Sequence, residues 1–355
     1  MAGAGRDVAT RRIAVVLFNL GGPDSPAAVQ PFLYNLFNDR AIIGLPTPFR
    51  QLLASLIARR RAPVARAIYD KIGGGSPLLP NTEAQARALE GGLEDLGTVR
   101  AFPCMRYWHP LTPAVATAVK GFGPDEVVLL PLYPQFSSTT TASSYREWMR
   151  AAAGIGLRLP TRLVCCYPTE PGFIAAASEL VRAGITEAER RSGRTPRVLF
   201  SAHGLPKKVV ERGDPYPEHV EQSARAIVAR LGLPDGGWTV CFQSRVGPLA
   251  WIGPSTDDEI RRAGGDRMPI VVFPIAFVSE HSETLVELDI EYRHLADMAG
   301  VPCYIRAPTV GTSAAFIAGL GDLVRAALAP GTDVRSERGG RICKAADLCC
   351  LNPAT

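Results

Sequence analysis

Eight short apolar runs, each followed by a turn or a polar cluster, constrain this chain more than any other feature. They are Ile13–Phe18, Val99–Met105, Glu126–Leu132, Leu163–Cys166, Arg197–Phe200, Trp238–Phe242, Pro269–Phe273 and Val301–Ile305. Continuous β-branched and aliphatic runs of this kind suit strands buried on both faces. Arg100 and Pro103 interrupt Val99–Met105, which makes it the least regular of them. Amphipathic stretches of helical length lie between the runs. One carries Phe49, Leu52, Leu53, Leu56 and Ile57 at i, i+3, i+4, i+7 and i+8; another carries Leu285, Leu288, Tyr292 and Leu295. Strand alternating with helix predicts an α/β chain with a mostly parallel sheet. Four runs precede about residue 170 and four follow it. We therefore expect two doubly wound lobes, residues 11–170 and 171–330, each with a four-stranded, mostly parallel sheet flanked by helices. Residues 1–10 read as a flexible start and 331–355 as a Gly- and charge-rich tail. The helical stretch Ser313–Leu328 closes the second lobe in sequence or packs on the first.

The 39 Lys and Arg against 34 Asp and Glu leave a net charge of +5 over 355 residues. That is too weakly basic for a dedicated nucleic-acid binder, and it suits anionic small molecules or an anionic membrane surface. Eight Cys are too sparse for a disulfide-rich secreted fold. The first apolar run is short and lacks a small-residue cleavage site, and no stretch approaches the roughly 20 apolar residues of a spanning helix. The expected location is the cytoplasm, with peripheral membrane association as an alternative, and with thiols reduced or metal-bound.

In parallel α/β sheets ligands bind beyond the carboxyl ends of the strands. Those ends carry Asn19-Leu20-Gly21-Gly22-Pro23-Asp24, Tyr133-Pro134-Gln135-Phe136, Ser201-Ala202-His203-Gly204 and Pro274 through Glu283. His203 stands where a strand becomes a loop, so it suits a general base or a metal ligand; a loop histidine capping a carbonyl is the plainer reading. Ser279 is placed to cap a helix. His281 shares that helix's apolar face, while Glu280, Glu283, Glu287 and Glu291 form an acidic ridge. Such a ridge is either a solvated face or a conduit that hands a cation toward His203. Arg59, Arg60 and Arg61 end the amphipathic stretch from Phe49, either complementing the helix dipole or meeting carboxylates or lipid. Gly73-Gly74-Gly75-Ser76-Pro77 is a permissive turn, and no Gly-x-Gly-x-x-Gly fingerprint supports a nucleotide. Cys343, Cys349 and Cys350 crowd the tail, where three soft ligands point to a cluster completed by a fourth cysteine.

These residues resemble the ferrochelatases, which insert ferrous iron into a porphyrin at the end of haem synthesis. The resemblance runs over almost the whole chain. It rests on Asn19-Leu20-Gly21-Gly22-Pro23, Ile72 through Pro77, Arg106-Tyr107-Trp108-His109-Pro110, Tyr133-Pro134-Gln135 and Ser201 through Pro206. It continues in Arg212-Gly213-Asp214-Pro215-Tyr216, Gln243 through Pro248, Trp251-Ile252-Gly253-Pro254 and Phe277 through Tyr292. It implies two Rossmann-like lobes with a porphyrin cleft between them. It implies a catalytic, iron-meeting pair in His203 and Glu283, with Glu280, His281 and Glu287 as candidates along an acidic path that supplies iron or drains protons. It implies porphyrin contacts from Leu20, Arg59, Arg60, Tyr69, Ser76, Arg106, Tyr107, Tyr133 and Trp251. Protoporphyrin IX and ferrous iron are the implied substrates; coproporphyrin, or cobalt with a more carboxylated tetrapyrrole, are alternatives. A two-lobed tetrapyrrole- or solute-binding protein is the alternative from another class. The tail resembles relatives that hold a 2Fe-2S cluster on C-terminal cysteines. Here the spacing is Cys-x5-Cys-Cys, so the fourth ligand is Cys104, Cys165, Cys166, Cys241 or Cys303.

Overall fold

The computed structural model describes residues 11–245, 249–344 and 350–351. Residues 1–10, read above as flexible, lie outside the described residues, as do residues 246–248 of one quoted motif. Each of the eight apolar runs holds a strand, the last only at its end: β1 (Arg12–Asn19), β2 (Thr98–Met105), β3 (Glu126–Pro131), β4 (Thr161–Cys166), β5 (Arg197–His203), β6 (Trp238–Gln243), β7 (Ile270–Pro274) and β8 (Tyr304–Arg306). Each pairs in parallel. The second sheet has the four expected strands, in the order β6-β5-β7-β8, but the first has five, in the order β2-β1-β3-β4-β9.

The additional strand, β9 (Val334–Ser336), comes from the tail and pairs with β4 through Leu163↔Val334 and Val164↔Arg335. Three residues between Gly-rich flanks give no periodicity to read, so its strand character comes from the edge it joins. β2 tolerates Pro103 because it is the opposite edge of that sheet.

Burial on both faces explains the continuous runs. Ile13, Val15 and Leu17 of β1 enter one apolar cluster, and Ala14, Val16 and Phe18 enter another. The first of these clusters extends through Val198, Phe200 and Phe273 of the second sheet. The helix Ala314–Leu328 packs on β3 and β4, and on the helices Leu78–Gly91 and Pro171–Ser192. Of the two placements open to it, the structure takes the first sheet.

The stretch beginning at Phe49 belongs to a helix, Thr47–Asp70, that runs on past the three arginines and through Pro63. Its buried face is Ala54, Ala58, Ala62 and Tyr69, while Phe49, Leu52 and Leu56 are 65%, 73% and 50% exposed. Regular apolar spacing reports that side chains share a face, not which surface that face meets. No helix among the described residues is long and apolar enough to cross a membrane.

Candidate active site

The carboxyl ends of β5, β6 and β7 deliver one polar cluster. His203 is the last residue of β5. Its Nδ1 lies 2.7 Å from the Gly204 carbonyl, which can only accept, so Nδ1 carries the proton. The lone pair therefore sits on Nε2, 3.8 Å from Glu283 Oε2. Gly204 permits this turn: a Cβ there would stand 2.9 Å from the Gln243 carbonyl and 3.3 Å from the Trp251 ring. Trp251 thus packs on Gly204, the residue that follows His203.

Glu283 opens a π-helical segment, Glu283–Glu291, which continues into the helix Tyr292–Met298. Such wide turns are rare and concentrate at functional sites. Glu287 accepts from the Ser244 backbone N–H at 2.8 Å, from the Ser244 hydroxyl and from the Tyr292 hydroxyl at 3.2 Å. The Ser244 hydroxyl also lies 3.2 Å from Glu283 Oε2, so it bridges the two carboxyls. Burial, and after it the Glu283 charge, raise the Glu287 carboxyl above its usual range. Ser244 itself is held at φ 58°, a left-handed conformation that costs a non-glycine residue about 1 kcal/mol. Its two hydrogen bonds to Glu287 offset that cost. A cavity of about 260 Å³ opens behind this pair, lined by Gln243, Ser244, Arg245, Asp257, Glu287 and Glu291.

The acidic ridge thus begins at Glu283, not Glu280. Glu280 precedes the π-helical segment, and its Oε1 accepts from Arg306 Nη1 at 2.6 Å and from the Thr309 N–H at 3.0 Å. Burial acts to raise this carboxyl, but Arg306 overcomes it and holds the group below its usual range. Arg306 also donates to Asp289, anchoring both ends of the stretch that carries Glu283 and Glu287. Ser279 caps nothing: its hydroxyl donates to Gln85 Oε1 at 3.0 Å. His281 is buried against Phe277, its Nδ1 accepts from Thr284 N–H at 3.4 Å, and burial lowers its pKa.

The first sheet supplies the facing wall. A Cβ on Gly22 would stand 2.5 Å from Ser76 and 4.0 Å from the Tyr69 hydroxyl, so the turn after β1 lies directly on both. Tyr69 reaches Ser282 at 3.4 Å, beside Glu283, and burial pushes its phenol up to about 12. Leu20 packs with Tyr69, Tyr107 and Trp108. Behind this wall, Asp39 accepts from Arg106 and the Tyr107 hydroxyl, each at 2.8 Å, and from Ser143. Tyr107 is buried and Tyr133 packs against the core of the first sheet, whereas Arg59 and Arg60 are exposed on the long helix. The structure therefore gathers Leu20, Tyr69, Ser76, Trp251, His203, Glu283 and Glu287, and leaves Arg59 and Arg60 apart. Sequence reading assigned no role to Ser244, Tyr292 or Arg306. The signal was available: Gln243-Ser244-Arg245 is the carboxyl end of β6, a strand end as eligible as the others.

The model of the family described as Ferrochelatase matches residues 12–328. The chain belongs to the ferrochelatase family. It is 56% identical over 328 residues to a ferrochelatase of Caulobacter vibrioides (strain NA1000 / CB15N), a match covering 91% of this chain and 93% of the relative. It is 51% identical over 312 residues to a ferrochelatase of Wolbachia sp. subsp. Drosophila simulans (strain wRi), covering 87% and 98%. Among solved structures it is similar to DR2241, a multi-domain Deinococcus radiodurans protein described as having structural similarity to chelatases. The TM-score is 0.50 at 14% identity, covering 92% of this chain and 56% of that one, which bears on the fold alone. As a ferrochelatase the protein is a metal chelatase that inserts iron into a porphyrin for haem synthesis. Membership of an enzyme family decides against the solute-binding alternative.

Two described tail cysteines of this ferrochelatase, Cys343 and Cys350, gather with Cys166 of β4 beside the tail strand. Cys343 makes side-chain hydrogen bonds with Cys166 and Cys350, and Cys165 Sγ lies 3.5 Å from Cys166 Sγ. Those bonds, with the one to Cys166 first, lower the Cys343 thiol far below its ordinary value. Cys349 lies outside the described residues. No group of three or more His, Cys, Asp or Glu among the described residues is already arranged as a metal site.

Proposed function

We propose that His203 and Glu283 take the two pyrrole protons as ferrous iron enters protoporphyrin IX, and that Glu287 drains the second proton outward. The observation that carries this reading is the bare His203 Nε2 facing Glu283 Oε2 at 3.8 Å. Insertion releases two protons: one goes to Nε2, the other to the Glu283 carboxylate. The Ser244 hydroxyl then links Glu283 to Glu287, whose raised proton affinity suits a relay toward the acidic cavity. Leu20, Tyr69, Ser76 and Trp251 are the groups that hold the ring and bend it, exposing its nitrogen lone pairs. Arg59 and Arg60, exposed on the helix that carries Tyr69, suit the propionates of a ring that reaches out to that helix. The test is anaerobic turnover of ferrous iron and protoporphyrin IX by the parent enzyme and His203→Ala, with coproporphyrin and cobalt as competitors.

The exposed Phe49, Leu52 and Leu56, with Arg59, Arg60 and Arg61 beyond them, suit a lip resting on an anionic membrane, from which a poorly soluble ring would arrive. Replacing all three apolar residues with Ser is expected to abolish co-sedimentation with anionic vesicles at low salt. Equal sedimentation of parent and variant contradicts the assignment.

The thiols of Cys166, Cys343 and Cys350 suit a 2Fe-2S cluster, which they would hold together with Cys349, a residue outside the described ones. Cys166 is the internal ligand in this reading: of the two cysteines on β4, beside the tail strand β9, it and not Cys165 bonds to Cys343, whereas Cys104 is on β2 at the opposite edge, and Cys241 and Cys303 belong to the second lobe. Such a cluster would supply a one-electron redox centre and a clamp on the tail.

A further inference from the structure

His219 is buried, with 1% of its surface exposed, and it is not one of the residues that meet iron or porphyrin. It sits in the first turn of the helix Tyr216–Leu231. Its Nδ1 accepts the Phe136 backbone N–H at 3.2 Å, so in the neutral ring the proton is on Nε2. Nε2 lies 3.6 Å from Cys343 Sγ, a normal separation for a hydrogen bond to sulfur. Both ring nitrogens are therefore committed, one to the loop after β3 and one to the tail.

The same helix turn is tied to the active site. Asp214, just before it, accepts from the Ser137 hydroxyl at 2.9 Å and from the Ser138 N–H at 2.7 Å. Tyr216 stands against the His203 backbone and within the field of Glu283. One turn thus touches the catalytic strand end through Tyr216 and a tail thiol through His219.

We propose that His219 is a positioning residue for the tail's cysteine cluster, donating its Nε2–H to the Cys343 sulfur and so setting how readily the cluster is reduced. The inference rests on the 2Fe-2S reading. An N–H dipole aimed at a ligating sulfur stabilises the added negative charge of the reduced state, so the donor raises the reduction potential.

The experiment uses the full-length enzyme, purified without oxygen, and two substitutions. In His219→Asn the shorter side chain keeps an acceptor for the Phe136 N–H but cannot reach Cys343. In His219→Gln the amide N–H reaches about as far as Nε2. The parent is expected to carry roughly two irons and two sulfides per chain, with visible absorption bands. Asn is expected to keep that content and shift the midpoint potential downward; Gln is expected to stay near the parent. A parent potential in the Asn variant overturns the donor role and leaves the cluster reading standing. A folded Asn variant that assembles no cluster overturns it too, by making His219 necessary for assembly instead of a tuner of the potential. A parent enzyme without iron and sulfide overturns the cluster reading itself, and the inference with it.

Discussion

His203→Ala is expected to lower turnover by about 10³-fold while leaving porphyrin affinity within a few-fold of the parent. The asymmetry follows from geometry. His203 presents a single lone pair toward Glu283, with its other nitrogen spent on the Gly204 carbonyl, so it contributes a proton acceptor and little wall area. Ring affinity should come from the apolar groups around it, including Trp251 and the Leu20–Tyr69 side. Equilibrium porphyrin quenching of tryptophan fluorescence, measured beside anaerobic haem formation, separates the two quantities. A parallel loss of both would make His203 part of the pocket wall and displace the base elsewhere.

The second large effect is on stability. Arg306→Met is expected to cost about 3 kcal/mol at neutral pH, because it strands the Glu280 and Asp289 carboxylates around one buried cation position. Glu280→Gln should cost less, since Asp289 still engages the guanidinium. The sign of the pH dependence is fixed by the Glu280 carboxyl, which burial would raise but which Arg306 holds below its ordinary 4.5. Its contribution is complete above that value and is lost as pH falls through the lower folded value. The gap between parent and Arg306→Met, measured by urea unfolding, should therefore be full at pH 7 and narrow below about pH 4.5. A gap independent of pH would show that the substitution acts through packing alone. Since Arg306 anchors the segment bearing Glu283 and Glu287, turnover of the folded variant should also fall.

Much of this was legible in the residues because burial on both faces leaves an unbroken apolar signature, and each of the eight such runs holds a strand. β9 was not legible, since three residues become a strand only through the β4 edge that receives them. The end of the helix from Thr47 was not legible either: the apolar spacing stops at Ile57, but the helix runs on past Arg59, Arg60, Arg61 and Pro63 to Asp70, with alanines making its buried contact. At the site, His203, Glu283 and Glu287 were readable as polar groups at strand ends. The coupling between the carboxyls was not, because Ser244 needs a left-handed backbone to reach both, and no side-chain pattern encodes that. The acidic ridge looked regular down to Glu280 only on the assumption of ordinary helical turns; Arg306, arriving from β8, claims that residue.

The most direct measurement is a crystal structure of the enzyme with protoporphyrin IX bound. The account predicts the ring centre between His203 Nε2 and the Glu283 carboxylate, with the macrocycle bent and both groups within about 4 Å of pyrrole nitrogens. A flat ring seated elsewhere, with His203 and Glu283 facing solvent, would contradict it.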